Sequence, residues 1–198
     1  MPIILISSLA AGLLASTFNF VGSSITLSGA VDYVLAIFIF IVSVDVGASI
    51  TRGVVSNLGI DALKLATSTL LGSIIVGFLV ALLPGVNPIM VLSAAMGMGW
   101  YTLAGPLVSA SLGAAPGAIA FFSNFVRELF TFLTYPLFAS KFGKRNAITL
   151  GGATTMDTTL TVISAVGGSK VAAVSFMHGL ITTLFVPVLI TLILSFAR

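Results

Sequence analysis

The sequence predicts an all-α integral membrane protein, and three observations support this. Hydrophobic residues make up 58% of the 198 residues, and the mean hydropathy is +1.23. Only 7% of the residues are charged, whereas a soluble domain carries about 25%. Apolar runs of about 20 residues, the length of a membrane-spanning helix, recur along the whole chain. So few charges could not cover a water-facing surface. We therefore expect one transmembrane domain over residues 1–198.

About seven or eight transmembrane helices are expected, some of them broken. Apolar runs separated by Gly and Pro predict helices over residues 3–21, 33–49, 61–83, 87–112, 116–140, 146–166 and 171–197. The fourth run is weak between Gly97 and Pro106, and the sixth contains Gly151 and Gly152. A break or extra crossing at Gly97–Pro106 would bring the basic loops near residues 52 and 141–145 to the same face, as the positive-inside rule favours.

Composition also excludes several chemistries. The chain has no cysteine and a single histidine, His178, so thiolate metal sites and a zinc peptidase are excluded. The basic residues lie mostly between apolar runs and are interpreted as topology-setting charges, with no nucleic-acid partner. His178 shares a helix face with Ser175 and Thr182. We expect it to hydrogen-bond between helices, with a proton relay as the alternative. We expect no enzyme activity and no cofactor.

Arg127 and Glu128 lie in the middle of the fifth apolar run, where charge is costly. Neighbouring helix positions point about 100° apart, so the two side chains belong to adjoining polar stripes. Asn124 shares a face with Glu128, and Ser123 and Thr131 share one with Arg127. One interpretation is an internal neutralised pair that stabilises the bundle. The other is that Glu128 lines a polar cavity and Arg127 orients or balances it.

Asp157 follows the glycine pair of the sixth run. Thr154, Asp157, Thr158 and Thr161 are spaced three or four residues apart, as on one face of a helix. An unwound backbone beside a carboxylate and hydroxyls presents oxygen ligands to a cation. The alternative is that Asp157 caps the helix that restarts after the glycines.

Three other acidic residues lie near the ends of apolar runs. Asp45 comes near the end of the second run and either pairs with Arg52 or contributes to the binding site. Asp32 and Asp61 come at expected helix starts, and we interpret both as caps that interact with the helix dipole.

Four stretches together resemble the lysine exporter (LysO-type) family. They read GMGWYTLAGPLVS (residues 97–109), SNFVRELFTFLTYPL, GGATTMDTTLTVISAVGG (residues 151–168) and VSFMHGLITTLFVPVLI. Their order and spacing match from about Ile39 to the end. Trp100 and Tyr101, in the first stretch, join the candidate binding residues.

The resemblance implies export of L-lysine and close cationic analogues across the cytoplasmic membrane, by a multi-pass protein. It also implies intramembrane acidic residues, carried over here to Glu128 and Asp157. Family members are similar in broad fold to cation–proton antiporters and bile-acid symporters, which implies crossed, broken helices around a midplane site. Bacterial relatives usually carry an additional amino-terminal membrane segment that is lacking or shortened here, so a homodimer is an expected assembly.

Two arrangements of the cargo are open. Two carboxylates could hold the ammonium groups of lysine, while Arg127 or a helix amino terminus holds its carboxylate. Alternatively, one carboxylate carries protons, and antiport follows when proton and lysine compete for it. We hypothesise Asp157 as the shared site and Glu128 as its partner, with a proton as the coupling ion and Na⁺ as the alternative. A sodium–proton antiporter-like carrier and a non-transporting membrane scaffold are the rival functions.

Overall fold

The computed structural model describes Val44 and residues 52–197, with side chains for Val44 and from Leu58 onward. The expected helix over 3–21 and, apart from Val44, the one over 33–49 lie outside these residues. So do Asp32 and Asp45, and the roles given to them stay predictions.

Every regular element among residues 52–197 is a helix. There are six α-helices in this part of the chain: α1 Arg52–Ala81, α2 Pro88–Ala95, α3 Tyr101–Leu112, α4 Ala114–Phe142, α5 Leu160–Gly167 and α6 Ser169–Leu194. Three short 3-10 helices accompany them, at Asn146–Leu150, Gly152–Met156 and Ser195–Ala197. The all-helical prediction is confirmed for this part of the chain.

Two of the helices are long and apolar enough to cross a membrane. They are Leu58–Ala81, within α1, and Ser169–Ala197, which is α6 with its terminal 3-10 turn. Helix α4 has 29 residues, and at 1.5 Å per residue it is about 43 Å long, more than the roughly 30 Å of a hydrocarbon core. Arg127 and Glu128 lie in its middle, so they are far from both of its ends.

The start of α1 differs from the expectation. This helix begins at Arg52, well before Asp61, so the interpretation of Asp61 as a cap is wrong. Residues 52–60, which precede the apolar run expected over residues 61–83, are already part of this helix. The Asp61 carboxylate pairs with Arg145 at 2.7 Å, and both side chains are partly exposed.

The break predicted between residues 97 and 106 is confirmed in its first part, at residues 96–100, whereas Gly105 and Pro106 lie inside α3. Asn87 caps the first half, α2, by accepting hydrogen bonds from the backbone N–H groups of Ile89 and Met90. Helix α2 ends at Ala95, and α3 begins at Tyr101. Between them Gly99 has a φ of +98°, which glycine adopts readily and which a right-handed helix cannot contain.

The helix expected over residues 146–166 is wrong in its first part. Two 3-10 helices replace it there, and α-helix begins only at Leu160. Asp157, with φ −134° and ψ −92°, lies in irregular backbone. Thr154, Asp157, Thr158 and Thr161 therefore do not form one α-helical face. The physical reason is a tertiary contact with the break between α2 and α3, described below.

Packing places both interrupted regions at the centre of the described structure. Helix α3 packs most extensively against α4, α1 packs against α6, and the 3-10 helix Gly152–Met156 packs against α6. Outward-facing positions of the long helices carry large exposed apolar side chains such as Ile75, Phe122 and Leu184. An apolar surface of this kind is stable in lipid and unfavourable in water.

Candidate functional site

The two interrupted regions contact each other, and a backbone hydrogen bond joins them. The N–H of Ala153 donates to the carbonyl oxygen of Met98 at 2.8 Å. Gly152 has a φ of +62°, and a Cβ at this position would collide with the same carbonyl oxygen. Glycine is therefore required here both for its conformation and for the close approach of the two backbones. Below, "the crossing" means Met96–Trp100 together with Gly151–Thr159.

Asn124 of α4 supports the first interrupted region. Its Oδ1 accepts from the Gly99 N–H at 2.7 Å, and its Nδ2 donates to the carbonyls of Ala94 and Ala120, each at 2.8 Å. The side chain is 3% exposed, and its Oδ1 satisfies the Gly99 N–H, which the break leaves without a helical partner. Asn124 thus positions the break, while direct binding by its side chain stays a prediction.

Glu128 and Asp157, called here the acidic pair, lie close together beside the crossing. The Glu128 carboxyl lies next to the hydroxyls of Tyr101 and Thr158 and within electrostatic range of the Asp157 carboxyl. Asp157 Oδ1 accepts from the Thr158 N–H at 2.6 Å. Glu128 Oε2 is buried and has no hydrogen-bond partner among the described residues. The four side chains present oxygen atoms suited to a proton or a small cation.

Arg127, the neighbour of Glu128, contacts a different part of the structure. Its Nε donates to the Leu150 carbonyl at 2.8 Å, Nη1 to Ser73 Oγ at 2.9 Å and Nη2 to the Thr149 carbonyl at 3.2 Å. Thr149 and Leu150 end the first 3-10 helix, where a cation is favourable. Within residues 58–197 no salt bridge joins Arg127 to Glu128. The described contacts therefore do not form the internal neutralised pair that the sequence left open.

Some of the other sequence-predicted candidates lie next to the acidic pair, and the others make structural contacts around it. Thr154 Oγ1 donates to the Gly151 carbonyl at 2.9 Å and is buried inside the crossing. Thr161 Oγ1 bonds back to the Thr158 carbonyl at 3.0 Å. Trp100 packs against an apolar cluster at the start of α3. Of these candidates, Tyr101 and Thr158 are the ones adjacent to the acidic pair.

His178 of α6 connects two other elements, as expected. Its Nε2 lies 2.9 Å from Thr69 Oγ1 of α1, and its Nδ1 lies 2.8 Å from Thr155 Oγ1. Ser175 and Thr155 also exchange hydrogen bonds with each other's carbonyl and hydroxyl groups. The inter-helix hydrogen bonding predicted for His178 is confirmed, whereas a proton relay stays a prediction.

A groove of about 700 Å³ lies between α1, α2 and α4. Its walls are mostly apolar, and its polar lining includes Ser68, Thr69, Ser73, Asn124, Arg127 and Thr149. Sequence reasoning missed Thr69 and Ser73. Their four-residue spacing, which places both on one face of the helix, was the available signal. Glu128 and Asp157 do not line this groove. Within the described residues, no cluster of three or more His, Asp or Glu side chains could hold a metal ion.

Over the residues that the structure describes, these features are those of a helical membrane protein whose polar residues gather where two helices are interrupted. The family described as "Lysine exporter LysO" matches residues 6–194 of the chain. The chain belongs to this family.

Two relatives illustrate the similarity. The "Lysine exporter LysO" of Escherichia coli (strain K12) is 34% identical over 183 residues, which cover 86% of this chain and 60% of that protein. The "Putative lysine exporter" of Haemophilus influenzae (strain ATCC 51907 / DSM 11121 / KW20 / Rd) is 31% identical over 169 residues, covering 83% of this chain and 84% of that protein. The chain thus spans 60% of the length of the Escherichia coli relative. No solved structure matches it.

Proposed function

We propose that this protein exports L-lysine and close cationic analogues across the cytoplasmic membrane by proton antiport. Membership of the lysine exporter family supports the amino-acid cargo. The single structural observation that carries the mechanism is the acidic pair, Glu128 and Asp157, beside two interrupted helices. Interrupted helices at membrane depth are tolerated where they line an internal site, and intramembrane carboxylates commonly serve transport.

The acidic pair suits exchange because its charge has to be compensated. Two carboxylates at short range repel each other, and burial makes each negative charge costly. A bound proton or cation removes both costs, so the occupied pair can reorient across the membrane more easily than the empty pair. Export coupled to proton entry follows when the inward and outward faces present the pair alternately.

Within this proposal, Asp157 is the residue that takes up the proton and Glu128 is its partner. Asp157 lies in irregular backbone that a small movement of the crossing would displace. Glu128 lies on the long, regular helix α4, so it stays in place while Asp157 moves. The hydroxyls of Tyr101 and Thr158 lie next to the Glu128 carboxyl, where hydrogen bonds from them would stabilise its charged form.

The test is counterflow in proteoliposomes that contain the full chain. Vesicles are loaded with labelled L-lysine, a pH step is applied, and lysine efflux and proton entry are recorded together. We expect Asp157→Asn to abolish proton-driven lysine movement. Asp61→Asn is the matched control, because this carboxylate pairs with Arg145 in a partly exposed position away from the site. Intact coupled counterflow in Asp157→Asn would show that the assignment is wrong.

The same vesicles separate the rival functions. Movement of labelled sodium without lysine would identify a sodium–proton antiporter-like carrier. A membrane scaffold would move neither solute.

A further inference from the structure

Different residues of helix α4 line the groove and form the acidic pair. Ser123 and Arg127 line the groove, whereas Glu128 lies next to Tyr101 and Asp157. Consecutive helix positions point about 100° apart, which is why adjacent residues can serve separate sites. The structure therefore offers two polar sites, one with a guanidinium and one with carboxylates.

Arg127 has hydrogen-bonding capacity left over in the groove. A guanidinium has five N–H donors, and three are used, one each on Nε, Nη1 and Nη2. Two remain, one on each terminal nitrogen. Among residues 58–197 the Arg127 charge has no carboxylate partner within salt-bridge distance. Because Leu150, Thr149 and Ser73 hold the side chain in place, little entropy is lost when an anion binds.

The remaining lining of the groove fits a short aliphatic chain. Its volume of about 700 Å³ falls in the range of small-molecule pockets, roughly 300–1,000 Å³. Gly72, Val76 and Val80 contribute an apolar wall along α1. A Cβ at Gly72 would meet no atom within 4 Å, so the space above this residue is open.

We propose that the groove binds an amino-acid cargo through its α-carboxylate at Arg127, while the acidic pair is left for the coupling proton. The carboxylate accepts the two remaining guanidinium N–H bonds, and the aliphatic stem lies along the glycine and valine wall. The identity of the cargo rests on the proposed function. Cargo and proton then occupy separate sites, and coupling between them passes through α4 and the crossing instead of through competition for one carboxylate.

The first test uses cargo chemistry on the unmodified protein. Binding of labelled L-lysine to the purified full chain is challenged with cadaverine, which is lysine without its α-carboxylate. Charge-assisted hydrogen bonds contribute enough that cadaverine should compete roughly 10- to 100-fold more weakly than unlabelled lysine. Competition equal to that of lysine would overturn the groove assignment.

The second test blocks the groove without touching a charge. Gly72→Phe places a ring in the open space, and Leu71→Phe adds the same ring at an exposed neighbouring position that does not line the groove. We expect Gly72→Phe to weaken lysine binding at least about tenfold and Leu71→Phe to leave it unchanged, with equal thermal stability. Wild-type affinity in a folded Gly72→Phe protein would overturn the inference.

These outcomes are distinguishable from failure of the proposed function. If the wild type binds and moves lysine but either groove test fails, only the groove assignment is overturned. If the wild type neither binds nor moves lysine, the proposed function falls, and the groove assignment falls with it.

Discussion

The Ala153 N–H donates a 2.8 Å hydrogen bond to the Met98 carbonyl oxygen, and this bond ties together two segments that are 55 residues apart in sequence. Both segments leave the α-helical path at that point, so each loses hydrogen bonds within its own helix. Their mutual bond replaces part of this loss. The acidic pair lies beside the crossing, so the proposed transport requires that the crossing stays intact.

Gly152→Ala should disrupt the crossing. A Cβ at this position collides with the Met98 carbonyl oxygen, and φ is +62°. Backbone strain and overpacking together should lower the free energy of unfolding by about 1–3 kcal/mol or more. Gly72→Ala is the control, because its Cβ meets no atom within 4 Å. Thermal unfolding in detergent measures both, and equal melting temperatures would contradict the described contact.

Asn124→Ala should destabilise the break between α2 and α3. The change leaves the buried Gly99 N–H without its partner, at about 1–3 kcal/mol, and the Ala94 carbonyl keeps only its backbone bond from the Gly97 N–H. Ser123→Ala provides the comparison, since Ser123 is exposed and bonds only to the carbonyl of Ala120 in its own helix. A difference in melting temperature below one degree between the two variants would show that Asn124 does not support the break.

Tyr101→Phe should reduce transport while leaving the fold intact. The change removes a hydroxyl adjacent to the Glu128 carboxyl, and a hydrogen bond to a charged group contributes enough for a roughly tenfold loss of rate. Tyr135→Phe should show the opposite pattern. Its buried hydroxyl donates to the Lys144 carbonyl at 2.8 Å, away from the acidic pair, so stability should fall by about 1 kcal/mol and transport should persist. Identical lysine counterflow in both variants would remove Tyr101 from the site.

Thr155→Val should cost stability because the hydroxyl joins three partners. It lies within hydrogen-bond distance of the Gly152 and Ser175 carbonyls and of His178 Nδ1. Valine keeps the shape of threonine but leaves the imidazole nitrogen unsatisfied, so we expect a loss of about 1–3 kcal/mol. Thr67→Val is the isosteric control, since that exposed hydroxyl bonds only to the Leu63 carbonyl in its own helix. If both variants unfold at the same temperature, His178 does not depend on Thr155.

Several structural features were predictable from local sequence signals. The glycines around residue 97 predicted an interrupted helix, and α2 and α3 are separated there. The position of His178 among polar neighbours predicted a hydrogen bond between helices, which Thr69 and Thr155 provide. Such signals work because backbone freedom and the cost of burying polar groups are properties of individual residues.

Other features could not be predicted in this way. The spacing of Thr154, Asp157 and Thr161 suggested a helical face, but this segment follows the surface of the crossing instead of an α-helix. Arg127 and Glu128 are adjacent in sequence, yet their side chains contact different residues. The partners that decide these outcomes, such as Ser73 and Leu150, lie far away along the chain.

By itself, the sequence determined that this protein lies in lipid and that its elements are helices with breaks. Apolar composition and the spacing of glycine and proline are enough for this, because both depend on the chemistry of individual residues. It also determined where charge would be costly, at Glu128, Arg127 and Asp157. Only the tertiary structure decided which of these charges would meet. That outcome depends on the close contact of Met98 with Ala153 and on the direction in which α4 presents successive side chains, and both require the packed helices.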